Sequence, residues 1–295
     1  MENTCKLTIK IASFLCAFAI LCISVDSSWA GGYIKADDDV MLYYEDVGEG
    51  TPIIFVPGWT GTTYFFSKQI DYFETSNSAR AVVYDPRAQG RSSKTLDGAF
   101  YDQHAKDLKR LIEALDLKDV VLAGWSWGGV TVYDYLHQFG TDNLKGVVII
   151  DQTPTPLSTE PSAWTDGGPD VVKQFFNDFT ADRVETVRGF IPWMYTKGVS
   201  DEEASRLLAE TMLTPDIVAS QLLYDGWMVD WTETFKAVDV PMLMLVREEN
   251  ADPARSYIKI YQPEADIVVL GGHGMMWDHA DQFNEAVSSF LGKLN

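Results

Sequence analysis

The chain has 295 residues, 46% of them apolar, and a formal net charge of −20 at neutral pH. So acidic a surface repels nucleic acid and anionic lipid and disfavours polyanionic substrates, which excludes nucleic-acid partners. All three cysteines, Cys5, Cys16 and Cys22, lie near the N-terminus.

The first segment reads "MENTCKLTIKIASFLCAFAILCISVDSSWAGG". Lys6 and Lys10 precede an apolar run from Ile11 to Val25, and the small residues Ser28 and Ala30 follow. That order is the pattern of a secretory signal peptide, residues 1–30, with cleavage after Ala30. The apolar run is shorter than the roughly 20 residues of a spanning helix, so no stable membrane anchor is expected after cleavage. A secreted or periplasmic location follows. The mature chain would then carry no thiol, which excludes a cysteine nucleophile, thiolate metal sites and disulfides.

Next, "YIKADDDVMLYYEDVGEG" (33–50) predicts an antiparallel hairpin turning at Asp37 to Asp39. Six apolar, β-branched runs then read as buried strands at 52–56, 80–85, 119–124, 145–151, 241–246 and 265–271. Helical patterns at 102–116, 128–139, 253–262 and 279–292 lie among them. Strand and helix in alternation predict an α/β fold, a mostly parallel sheet with helices on both faces. Residues 152–236 show no strand pattern but several helical ones, and are expected to form a helical cap inserted into a core of 31–151 and 237–295.

Within "GWSWGG" (124–129), Ser126 follows a strand and precedes a helical run, with Gly124 and Gly128 two residues to either side. This G-x-S-x-G spacing fits a nucleophile elbow, a strained strand-to-helix turn whose flanking positions must be small. A serine nucleophile needs a base and an orienting acid. Of four histidines, His104 and His137 fall within helical patterns and His279 starts the last helix, whereas His273 stands in "GGHG" just beyond the last strand. His273 is therefore the expected base. For the acid, Asp252 after strand 241–246 is the leading candidate, with Glu248, Glu249 and Asp151 as competitors. The order Ser126, Asp252, His273 suits such an elbow. Two backbone N–H groups should converge on the developing oxyanion, those of Trp127 and of Trp59 in "PGWTGT".

Together, "FVPGW", "YDPRAQGRSS", "AGWSWGG", "IIDQTP", "ENADP" and "GGHGMMWDHADQF" resemble the α/β-hydrolase superfamily, in its serine-esterase and cofactor-free haloperoxidase-like branch. The resemblance implies the α/β-hydrolase fold and a carboxylic ester hydrolase. In the family the "DPRAQGRS" loop is structural, and here Ala88 replaces its usual first glycine. No nucleotide-binding glycine motif and no metal-ligand spacing occurs, so neither cofactor nor metal is expected.

Tyr224, Trp227, Met228 and Trp231 recur at helical spacing, and Trp193 lies in a second apolar cluster. Trp193, Tyr224, Trp227 and Trp231 are expected to wall an apolar pocket suited to a small uncharged ester or lactone. A perhydrolase or lactonase with the same triad is the nearer alternative, and a non-catalytic ligand-binding protein on the same fold is the more distant one.

Overall fold

A computed structural model describes residues 30–160 and 163–294. The expected leader falls before that range, apart from Ala30, and so lies outside the described residues. Strands β1 (Ala30–Asp37) and β2 (Val40–Val47) form the antiparallel hairpin. They join β3 (Pro52–Val56), β4 (Arg80–Tyr84), β5 (Val120–Trp125), β6 (Leu144–Ile150), β7 (Met242–Val246) and β8 (Asp266–Val269) in a single sheet of order β1-β2-β4-β3-β5-β6-β7-β8. β2 meets β4 antiparallel, and every later pairing is parallel.

The apolar strands are unbroken because side chains alternate between two covered faces. Ile53, Phe55, Val121, Ala123 and Trp125 point into one core with helices α1 (Ser67–Ser76) and α11 (Ala280–Lys293). Ile54, Val56, Val120 and Leu122 point into the other, with α2 (Tyr101–Ala114), α3 (Trp127–Phe139) and α9 (Ala251–Tyr261). A short α10 (Met275–Asp278) precedes α11.

Between β6 and β7 lie α4 (Pro169–Ala181), α5 (Arg183–Trp193), α6 (Asp201–Thr211), α7 (Asp216–Trp227) and α8 (Thr232–Ala237). Val172, Phe179, Val218 and Leu222 of this insert share a third apolar cluster with Trp127 and Val130 of α3. The insert is thereby packed over the start of α3. No helix among the described residues is long and apolar enough to cross a membrane.

Candidate active site

β5 runs through Trp125 and α3 begins at Trp127, so Ser126 alone makes the turn, with φ 51° and ψ −132°. Non-glycine residues seldom adopt that conformation, and it persists only where the surroundings enforce it. Ser126 donates its N–H to Ile150 O at 2.9 Å, and Gly129 donates to Ser126 O at 2.6 Å. A Cβ on Gly128 would come within 2.1 Å of the Val56 carbonyl, and one on Gly124 within 2.6 Å of the Gly128 carbonyl. The flanking glycines are thus steric requirements of the crossing of β3, β5 and α3.

The loop after β3 passes against the serine so closely that a Cβ on Gly58 would lie 2.9 Å from Ser126 Cβ. Trp59 follows, its indole Nε1 donating to Ala219 O of α7 at 2.8 Å. Trp127 is the first residue of α3, where an N–H has no intrahelical acceptor. Both backbone segments expected to supply oxyanion donors therefore border Ser126.

His273 lies in the turn between β8 and α10, and its Nδ1 bonds Asp151 Oδ2 at 2.6 Å. Asp151 is the first residue past β6, in a left-handed conformation with φ 48°. Arg247, the first residue past β7, donates its backbone N–H to Asp151 Oδ1 at 3.1 Å and its Nη1 to Oδ2 at 2.7 Å. Burial alone would raise the Asp151 carboxyl. The hydrogen bonds and positive charges of His273 and Arg247 outweigh it and hold the group at about 2.

The structure does not bring Asp252 to His273, which corrects the sequence expectation. The residues after Arg247 turn at once into a one-turn 3₁₀ helix and α9, and Asp252 falls in the first turn of α9, exposed. A carboxylate there suits the helix N-terminus and does not reach back over the sheet edge. Glu248 and Glu249 are also exposed. Because Asp151 too falls between Ser126 and His273 in the chain, chain order could not separate the candidates.

Trp125, to which sequence reasoning assigned nothing, donates its indole Nε1 to the His273 carbonyl at 2.8 Å and so ties the histidine loop to β5. The other histidines have structural surroundings. His104 is buried, and burial lowers it to about 4. His137 packs on Trp231, and His279 bonds Thr196 Oγ1 and Gln282 Oε1.

Ser126 and His273 both line a cavity of about 550 Å³ between the sheet edge and the insert. Trp59, Trp125, Trp127, Phe190, Trp193 and Trp227 form much of its wall. Trp127 meets Trp59 and Trp227 edge to face at 6.2 and 5.6 Å, and Trp193 stacks on Phe190 at 5.0 Å. Tyr224 and Trp231 do not line the cavity, contrary to expectation. α7 ends at Trp227 and Trp231 caps α8, so the four residues do not share one helix, and Tyr224 is 58% exposed. Among the described residues no group of three or more His, Cys, Asp or Glu side chains could hold a metal ion.

A sequence model of the alpha/beta hydrolase fold matches residues 51–197. A non-heme chloroperoxidase from Kitasatospora aureofaciens is 28% identical over 276 residues, covering 87% of this chain and 98% of that one. A bifunctional esterase/perhydrolase from Acinetobacter calcoaceticus is 26% identical over 281 residues, covering 88% and 99%. Among solved structures, a bromoperoxidase from Bacillus anthracis superposes with a TM-score of 0.81 at 24% identity, covering 89% of this chain and all of that one. With its sheet order and serine elbow, the chain has the α/β-hydrolase fold, and its sequence is similar to non-heme haloperoxidases and an esterase/perhydrolase.

Proposed function

We propose that the protein is an exported serine hydrolase that cleaves an uncharged, largely apolar carboxylic ester or lactone. The observation that carries this reading is a serine in a strained turn facing the same aromatic cavity as a histidine bonded to a buried carboxylate. Ser126 Oγ attacks the ester carbonyl while His273 takes its proton. Asp151 holds the Nδ1–H tautomer and balances the imidazolium, and the backbone N–H groups of Trp59 and Trp127 hold the oxyanion. The alcohol departs with the proton from His273, and water, activated by the same base, hydrolyses the acyl-enzyme.

The apolar wall favours an uncharged substrate, because a charged group would lose hydration there with few partners. Export rests on the basic, apolar and small-residue order of residues 1–30. Outside the cytoplasm, simple esters and lactones are more accessible substrates than carrier thioesters. The bifunctional relative supports a second reading, in which hydrogen peroxide replaces water as acceptor and the product is a peracid. The test is turnover of an ester and lactone chain-length panel, with and without peroxide. Ser126→Ala should lose at least about a thousandfold in kcat, and retention of full turnover would remove the assignment.

A further inference from the structure

One carboxyl in the cavity has no part in this hydrolysis. Asp166 lines the same space as Ser126 and His273. Its loop is pinned by Asp166 N–H to Pro156 O at 3.0 Å and by Thr153 Oγ1 to Trp164 O at 2.7 Å. Behind it the buried Gln152 donates Nε2 to Asp166 Oδ2 at 2.8 Å and to Thr153 O at 3.0 Å. The carboxyl is thus held in place before any ligand arrives.

The charged and titratable groups around it are Arg247, His273 and Asp151, and Asp178 of α4 also lines the cavity. Arg247 bonds Asp151 through its backbone N–H and Nη1. An ionised carboxylate has about four lone-pair positions, and the Gln152 amide takes one. In a mostly apolar pocket, the few fixed polar groups orient the ligand. A cationic ligand would confront Arg247 and, during turnover, the imidazolium of His273, so the complementary group is a neutral donor.

We propose that Asp166 determines specificity by accepting a hydrogen bond from an N–H or O–H group carried by the otherwise apolar, uncharged ester or lactone. This rests on Ser126 being the nucleophile. Burial raises the Asp166 carboxyl to about 6, against the Gln152 hydrogen bond and the Arg247 and His273 charges. Its acceptor form therefore predominates above that pH, and the preference for donor-bearing substrates should shrink below it.

The experiment compares kcat/KM of the purified protein for matched pairs of esters. One pair is a hydroxyacyl ester and its methoxy analogue, and the other is an amide N–H ester and its N-methyl analogue. Wild type, Asp166→Asn and Asp166→Leu are measured from about pH 5 to about pH 8, spanning the carboxyl's titration. At least one pair should show a donor preference of about ten- to a hundredfold in wild type at the upper end. The preference should fall through pH of about 6, where Asp166 titrates. It should approach unity in Asp166→Leu and be intermediate in Asp166→Asn. His273 acts on both members of a pair, so its own titration cancels in the ratio. Ratios near unity in wild type, unchanged between the pH extremes, or retained in Asp166→Leu overturn the proposal, and the wild-type series decides it even if a variant fails to fold. Fluorophosphonate labelling separates the two readings: labelled Ser126 with no donor preference overturns the Asp166 subsite alone, whereas unlabelled Ser126 overturns the nucleophile.

Discussion

Ser126 keeps a left-handed backbone because its neighbours leave β3, β5 and α3 no room for side chains at the crossing. Any Cβ on Gly128 meets the Val56 carbonyl at 2.1 Å, and the collision is with backbone, which has nowhere to go. Gly128→Ala should therefore cost more than about 3 kcal/mol in urea unfolding and remove ester turnover with it. Asp151 offers a cleaner separation of roles. Asp151→Asn keeps the shape but loses the charge that balances the imidazolium, and kcat should fall by about three to four orders of magnitude. Asp252→Asn, on exposed α9, should stay within about twofold of wild type. Trp125→Phe keeps most of the packing but leaves the His273 carbonyl without its indole donor. Stability should drop by about 1–3 kcal/mol, with kcat falling more than KM rises, as steady-state kinetics can show.

At the scale of elements, the end of β6 does two jobs with adjacent residues: Asp151 bonds His273, and Gln152 bonds Asp166. Burial of the Asp166 carboxyl, which the Gln152 bond only partly offsets, carries a stability cost that depends on pH. An unfolded Asp titrates near about 3.9, so below about pH 4 both states hold the proton and nothing is lost. As the pH rises toward about 6, the unfolded chain has already released its proton while folded Asp166 is still giving it up. Stability therefore declines by up to about 3 kcal/mol. Asp166→Asn should be more stable than wild type above pH 6, and the two should converge below about pH 4, as urea unfolding across that range can measure. Little of this was legible beforehand. The strand–turn–helix around Ser126 and the strand before His273 carry strong periodicity and glycine signals, so they could be read from sequence. Asp166 sits in an irregular loop without period, and Asp151 and Asp252 both follow strands in the right order, so only the path of the chain after β7 separates them. The aromatic stripe failed for a similar local reason, since helical spacing across 224–231 does not reveal that α7 stops at Trp227.

The whole molecule places an aromatic-walled cavity between the sheet edge and an inserted group of helices, in a chain with a formal charge of −20. Such a charge favours solubility and discourages adsorption to nucleic acid or anionic membranes, which is compatible with the proposed turnover of small neutral substrates. If residues 1–30 direct export, Edman or mass-spectrometric sequencing of the protein recovered outside the cytoplasm should begin at Gly31. A start at Met1 would contradict that part of the account. The most direct test of the central claim is the intact and peptide mass of the protein after treatment with a fluorophosphonate. The account predicts one adduct per chain, on Ser126, with ester turnover lost in proportion to labelling. No adduct, or an adduct elsewhere with turnover intact, would contradict it.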